Sequence, residues 1–464
     1  MNFQELEKLL ATTDIIDPSY PLRGTYVWLP TGFKFKELVF DTIKEKIEKI
    51  GYKQYQFPRL VPGSALRKVT RSIANFEDKV FWLRKGEEPL DVFLNPTGEC
   101  GIYSMFNRWI KSHADLPLKM FQIGSTFRPH KHPYSLLNSD EFTSLLEAHS
   151  AHETKEDAQY EFEKVIEVLK DVHDSLGIPY KMLTRPQWGN LPVSEKMVSF
   201  ETYLPAKEVS FNVGVAYYQG QIYSKAFDIK FLTKDGKHEY THQVTFGISE
   251  RVLAAMLSLH VDEYGLEILP EFAPYQAVVI PVYTGENDHF VREYAEKIKE
   301  GLHGVRVIID DSKKVLPRKK FPMWRRKGIP VRIGVSLEDV KNHTVRVYRR
   351  DKDEPETLPS IELEQKSLQY FKEIKSHIIG KSEKILNEKI KDASSYDDIS
   401  RIVGQNGIAR LEWCGTEECG RGIMEDFHGE ILGVSMNEIP HKSCVRCQSK
   451  PNHIAYYAQR AYSP

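Results

Sequence analysis

The chain has 464 residues, which at roughly 150 residues per domain predicts about three globular units. Its 64 Lys plus Arg against 65 Asp plus Glu leave a formal net charge of -1. That balance excludes a uniformly basic nucleic-acid coat and an acidic disordered tail, though not a local basic patch. Apolar residues at 41%, with 23 Phe, 23 Tyr and 6 Trp, predict a folded, soluble protein rather than a disordered one.

In chain order, the first organised segment is 29–51. Phe35, Leu38, Val39, Ile43, Ile47 and Ile50 recur at steps of three and four, which is the spacing of one helical face. Thr31 is expected to cap this helix and Gly51 to end it. Residues 52–58 mix aromatic and polar side chains before Pro58, as an edge strand does. Short strands are expected at 80–83, 92–94 and 119–124. A long helix follows, capped by Thr154 with Asp157 in reply and stopped at Gly177-Ile-Pro179; it buries Phe162, Val165, Ile166, Leu169, Val172 and Leu176. Strands are expected again at 208–215 and 224–232, and Gly247, at a strand end, leads into a helix through 257. Strands dominate with helices set among them, which predicts an α+β antiparallel sheet rather than an alternating βαβ array.

Two prolines in 269–274 suit a linker. Beyond it, 276–281, 289–299 and 305–309 read as strand, helix and strand, a small α/β unit with a parallel sheet. A third unit begins near Thr357, carries a charged helix from Glu364 to about Lys391, and ends in a cysteine cluster. The expected domains are 1–268, 275–356 and 357–464. The opening residues lack the cationic, apolar and small-residue order of a secretory signal, and no apolar run approaches the ~20 residues that cross a bilayer. The expected location is the cytoplasm, with no membrane partner.

Four of the five cysteines are Cys414, Cys419, Cys444 and Cys447. Pairs of thiolates delivered from two short turns suit a tetrahedral zinc ion with Zn–S bonds of ~2.3 Å. Structural Zn2+ is therefore expected, and four sulfurs leave no open position for catalysis. Between Lys313 and Arg332 lie Lys314, Arg318, Lys319, Lys320, Arg325, Arg326 and Lys327, interleaved with Phe321 and Trp324 and free of acids. Such a run is either a solvated face or a surface that neutralises phosphates and stacks bases.

Three landmarks stand in order along the chain: the helix and strand ending at Pro58, Gly124-Ser-Thr-Phe-Arg128, and Gly247-Ile-Ser-Glu-Arg251. They resemble the three motifs of class II aminoacyl-tRNA synthetases. Asn95-Pro-Thr-Gly-Glu99, Glu147-Ala-His-Ser-Ala-His152, Ser224-Lys-Ala-Phe-Asp-Ile229, Arg349-Arg-Asp351 and Trp413-Cys-Gly-Thr-Glu-Glu-Cys419 resemble, within that class, prolyl-tRNA synthetases of the archaeal and eukaryotic type. The resemblance runs through essentially the whole chain. It implies a class II antiparallel catalytic sheet flanked by helices, then an α/β anticodon-binding domain, then a zinc-bearing C-terminal α/β domain. It also implies a homodimer made through the first motif.

The resemblance implies an ATP-dependent ligase that activates an amino acid, proline first, and loads it on tRNA for proline. Arg128 and Arg251 are the expected catalytic pair. Arg128 would bridge the amino-acid carboxylate and the α-phosphate, and Arg251 would hold the γ-phosphate. Fixed guanidiniums suit that developing charge. Thr97 and Glu99 would receive the amino or imino group, with His149 and Tyr217 lining the same pocket. His130, Glu141, Asn212 and Ser249 would join Arg128 and Arg251 around ATP, whose phosphates Mg2+ would bridge. Arg318, Lys320, Phe321, Trp324, Arg325 and Arg326 would meet tRNA.

The chain also departs from the family pattern. His130 stands near a family glutamate, Asn138-Ser-Asp140 replaces paired arginines, Tyr217 replaces a histidine, and Asn95 an arginine. Arg325 and Gly334 stand where acids are usual, and arginine cannot accept from guanine's N–H donors. The family's terminal tyrosine is displaced, since Tyr462 precedes Ser463-Pro464. Two alternatives follow: a paralogue that activates another amino acid or loads another acceptor, and a catalytically silent RNA-binding homologue.

Overall fold

The structure, a computed structural model, describes residues 1–70, 80–130, 136–137, 139–186, 188, 194–285, 288–312 and 314–460. His132, Asn138, Lys313 and the terminal Tyr462-Ser-Pro464 lie outside the described residues. One sheet of eleven strands dominates. From the inner part outward its strands are Lys181–Thr184, Lys196–Leu204, Val209–Gly220, His242–Ser249, Glu141–His152 and Leu118–Phe127, all antiparallel. Lys53–Gln54 closes one edge, in parallel with Met120–Phe121. This is the expected edge strand before Pro58.

Period-two alternation sorts the sheet into two faces. Leu146, Ala148, Ala216, Tyr218, Val244 and Phe246 share one core with the helix Lys155–Ser175, through Phe162, Val165, Ile166, Leu169 and Val172. The helices Pro30–Lys49 and Arg251–Leu259 complete that core. Thr154 caps the long helix by accepting from Asp157 N–H at 3.0 Å, and Gly177 leaves it with φ +62°. The intervening residues Glu147, His149, Val215, Tyr217 and Thr245 fall on the opposite face.

Three expectations need correction. Thr31 does not cap the helix Pro30–Lys49; Leu29 holds the N-cap position without a side-chain bond. Pro30 tolerates the first turn because it has no N–H to satisfy, and Asp14 takes the capping role from outside. Its carboxylate accepts both the hydroxyl and the N–H of Thr31. The stretch 224–232 is not one strand, because a helix Ile222–Phe227 ends at Asp228 (φ 55°) before the short strand Lys230–Leu232. Tyr223 and Phe227, four residues apart, both pack on Tyr103, with ring centroids 5.0 and 5.9 Å away. That spacing is helical. The third correction concerns the smaller sheet. Val307–Ile309, Ala277–Pro281 and Val331–Val335 are parallel, but Thr344–Arg349 and Glu356–Pro359 join antiparallel. The connection 336–343 is shorter than the dozen or so residues a parallel crossover needs.

The proline-rich segment 269–274 is not loose. Leu269, Phe272 and Ala273 are buried, and Arg306 donates to the carbonyls of Pro270, Glu271 and Ala273 at 2.8–3.1 Å. After the helix Leu363–Lys389 the chain returns to the large sheet. Glu430–Ser435 pairs antiparallel with Lys181–Thr184, and His453–Ala458, Ile408–Trp413 and Ile390–Ala393 follow outward. Among the described residues, no helix is long and apolar enough to cross a membrane.

Candidate active site

The open face of the sheet supplies the floor. Met197, Tyr217, Thr245, His149 and Met120 are Cα partners in one transverse row; two residues along, Val215, Gly247, Glu147 and Gln122 form the next row on the same face. The loop before the helix Glu99–Trp109 lies over this floor. Thr97 Oγ1 is 2.6 Å from Glu147 Oε1 and is also hydrogen-bonded to the Glu99 carboxylate. A hydroxyl has one proton to donate, so it satisfies one of two flanking acids, and a cation or a second proton completes the other. Burial first, then the charge of Glu99, pushes Glu147 up to about 7. A hydroxyl between two acids suits a primary or secondary ammonium group.

Glu147 was not among the predicted site residues. The signal was present in Glu147-Ala-His149: two titratable residues two apart in a strand share a face. His149 is buried, and its Nδ1 lies 3.0 Å from Tyr103 Oη, whose hydroxyl donates to Gln219. Since Tyr103 donates onward, His149 Nδ1 is the donor in that pair, and Nε2 is left as an acceptor. Burial holds the ring down to about 4, so it is neutral at physiological pH.

Arg128 and Arg251 come to the same end of the sheet from different elements. Arg128 follows the strand Leu118–Phe127 and donates from Nε to Pro96 O at 2.7 Å, fixing the loop that carries Thr97. Arg251 opens the helix Arg251–Leu259. Its N–H donates to Ser249 Oγ at 3.3 Å, its Nε donates to Leu137 O at 3.2 Å, and its guanidinium lies 5.4 Å above the Phe142 ring. His130 lies within the field of both arginines. Burial holds it below its usual range, against the pull of Asp140 and with the help of Arg251 and Arg128. Asp140, which stands in the segment that replaces the family's paired arginines, accepts the His130 N–H at 2.8 Å. Glu141 pairs in register with Phe127, next to Arg128. Two fixed guanidiniums beside a helix N-terminus form a place for phosphates.

Asn212 lies toward the other side of the sheet. Its amide donates to Glu201 Oε1 at 3.2 Å and to Gly214 O at 3.3 Å. Glu201 also receives Arg460 at 3.0 Å and Arg185 at 3.6 Å, and both arginines reach Glu430. Burial pushes Glu201 up, but the two arginines outweigh it and hold the carboxyl below its usual range.

The four cysteines converge. The Sγ atoms of Cys414, Cys419, Cys444 and Cys447 all lie within 4.8 Å of one another, and none is in a disulfide. Four sulfurs around zinc stand about 3.8 Å apart when each bond is ~2.3 Å, so this set fits one ion. Thr416 accepts the Cys419 N–H at the start of the helix Glu417–Phe427, and Gly415 turns with φ +87° between the first pair.

The basic helix Pro317–Arg326 divides its cations between two directions. Arg318, Lys319 and Arg326 are exposed. Lys320 and Trp324, expected to meet RNA, instead turn inward. Lys320 Nζ pairs with Asp310 at 2.9 Å, and the Trp324 indole donates to the same carboxylate at 2.8 Å. Phe321 packs on Tyr348 at 4.6 Å. Arg325 stacks 3.4 Å over the Tyr264 ring and pairs with Asp353 at 2.6 Å.

Comparison with known proteins places these features in context. The family described as tRNA synthetase class II core domain (G, H, P, S and T) matches residues 81–260. An anticodon binding domain matches 276–369, and the prolyl-tRNA synthetase C-terminal family matches 396–462. A proline–tRNA ligase of Methanococcoides burtonii is 38% identical over 99% of this chain and 97% of its own length. One from Methanopyrus kandleri is 37% identical over 93% of this chain and 90% of its own. Giardia lamblia prolyl-tRNA synthetase in complex with prolyl-adenylate superposes with a TM-score of 0.93 at 28% identity, covering 98% of each chain. The Cryptosporidium parvum enzyme, complexed with halofuginone and AMPPNP, gives 0.91 at 25% identity over 98% of this chain and 94% of its own.

Proposed function

The chain belongs to the archaeal-type proline–tRNA ligases, a family of class II aminoacyl-tRNA synthetases, and we propose that its open-face pocket activates proline. The reaction joins the proline carboxylate to the α-phosphate of ATP with release of pyrophosphate, and then passes the prolyl group from the adenylate to a ribose hydroxyl of tRNA with release of AMP. The observation that carries the assignment of residues is the nest of Thr97, Glu99 and Glu147 beside Arg128. The secondary ammonium of proline sits among the hydroxyl and two acids, which turns the carboxylate toward Arg128. As oxygen attacks phosphorus, charge grows on the phosphate oxygens. Arg128 and Arg251 face it without any proton to lose. His130 and Glu141 flank the nucleotide, Ser249 holds the backbone ahead of Arg251, and neutral His149 with Tyr217 bounds the proline ring. Asn212, tied to Glu201, shapes the far wall. Magnesium, when bound, neutralises the phosphates of ATP.

Around this centre we assign three units, 1–268 for activation, 275–356 for anticodon reading and 357–464 for a zinc-bearing support. Cys414, Cys419, Cys444 and Cys447 hold the structural zinc. The RNA face is the exposed set Arg318, Lys319 and Arg326, with Arg325 at its border and Phe321 beneath it; Lys320 and Trp324 keep the helix in place. A homodimer forms through the helix Pro30–Lys49, with its exposed Phe33, and the exposed Tyr20, Leu22 and Val27 ahead of it, and the enzyme works in the cytoplasm. The test is ATP–pyrophosphate exchange over a panel of amino acids. Exchange that depends on proline is expected; exchange supported by another amino acid alone, or by none, would sink the assignment.

A further inference from the structure

Behind Arg251 lies a buried acid that the proposed chemistry does not use. Glu250 immediately precedes Arg251 at the N-cap of its helix and is fully buried, yet it makes no side-chain cap bond. Instead it accepts the Tyr26 hydroxyl at Oε2 (2.6 Å) and the Thr143 hydroxyl at Oε1, with Lys36 Nζ 3.9 Å away. Lys36 donates to Thr143 at 3.2 Å and lies over the Trp28 and Phe33 rings, 5.4 and 5.0 Å from their centroids. Three remote stretches therefore meet at one carboxylate: the segment around Tyr26, the helix Pro30–Lys49, and the strand Glu141–His152. That strand contributes two consecutive residues, Phe142 beneath the Arg251 guanidinium and Thr143 on Glu250.

A buried carboxylate is costly to desolvate, and an apolar residue would fill the space without that cost. A negative charge behind a phosphate site would also repel phosphates unless it were countered; here Lys36 brings the opposite charge and two hydroxyls donate to the carboxylate. We propose that Glu250 is a positioning residue for ATP. By clamping Tyr26, Thr143 and Lys36, it fixes the backbone and the Phe142 surface from which Arg251 meets the outer phosphates. This rests on the assignment of Arg251 to ATP made above.

The mildest probe is Tyr26→Phe, which removes one hydrogen bond to a charged acceptor and keeps the ring. In proline-dependent ATP–pyrophosphate exchange it is expected to raise KM for ATP about tenfold, with KM for proline within about twofold. Glu250→Gln should raise it less, since its amide oxygen still accepts, and Glu250→Ala more. Should the alanine variant fail to fold, Tyr26→Phe and Thr143→Val carry the test. Equal changes in both KM values, or no change in either, overturn the proposal. Arg251→Ala separates the two layers of the argument. An unchanged KM for ATP in that variant removes the Arg251 assignment; a raised one beside an unaffected Tyr26→Phe removes only the role of Glu250. In the double variant, Tyr26→Phe should add no further loss to Arg251→Ala. Full additivity would mean that Tyr26 and Glu250 act on the fold alone.

Discussion

Glu147 and Glu201 are both buried in the same sheet, yet their surroundings are opposite. Glu147 has a hydroxyl and an amide for partners and a second acid, Glu99, nearby; burial and that charge push it up to about 7. Glu201 has Arg460 and Arg185, and its carboxyl stays below the ordinary range despite equal burial. Burial alone does not decide the protonation of an acid: two arginines outweigh it at Glu201, whereas at Glu147 the pull of Arg128 is outweighed by burial and Glu99. One acid is satisfied within the chain and belongs to the scaffold. The other becomes fully satisfied when a cationic substrate arrives, and belongs to the pocket.

The largest break in that contrast would come from the proposed zinc. Stripping it with a chelator removes on the order of 10 kcal/mol from the folding of the tail, and Arg460 and Glu430 belong to that region. Glu201 would then lose its strongest partner. Protease resistance of the tail and proline-dependent exchange should fall together, and a tail that stays resistant would contradict structural zinc. Next in size is Glu201→Ala, which leaves two buried arginines to share Glu430 and should cost about 3 kcal/mol by urea denaturation. A cost under about 1 kcal/mol would mean the network is not a satisfied unit.

Glu147→Gln should do the reverse, changing stability by no more than about 1 kcal/mol because it relieves a buried acid. The expected effect is on binding, with KM for proline raised about tenfold, as for the loss of one hydrogen bond to a charged group. The smallest effect is the pH dependence. Burial and the charge of Glu99 push the folded carboxyl up to about 7 from its ordinary 4.5. Its protonated form therefore stabilises the unliganded fold, a contribution present below about pH 4.5 and lost as pH rises through about 7. A cationic substrate favours the ionised form, so KM for proline should fall severalfold between about pH 6 and about pH 8. It should lie flat in Glu147→Gln. A slope that survives the substitution would assign the titration elsewhere.

The proposed site was legible where its residues lie close together in sequence. Thr97 and Glu99 stand at one loop-to-helix junction, Arg128 follows a strand, and Arg251 opens a helix, so each was named from its local motif. Thr154 and Gly51 obeyed capping rules that act within a few residues. What escaped depends on register between distant strands. Glu147 meets Thr97 only because the strand Glu141–His152 places it beneath that loop, and Glu201 meets Arg460 across most of the chain. Lys320 and Trp324 were read as RNA-facing because composition does not reveal which side of a helix meets Asp310. The stretch 224–232 misled because its apolar residues fit alternation and a four-residue step alike, and contact with Tyr103 decided between them.

The pairing of Glu430–Ser435 with Lys181–Thr184 has a consequence for how the protein is made. Synthesis runs from the N-terminus, so the catalytic sheet emerges from the ribosome with Lys181–Thr184 as a bare border. A bare border invites pairing with other chains. Its natural cover arrives only after the anticodon-type unit and the long helix Leu363–Lys389 have been translated. A product truncated before Glu430 would carry every motif of the activation chemistry and still expose an adhesive strand, so a strand translated late guards a sheet translated early.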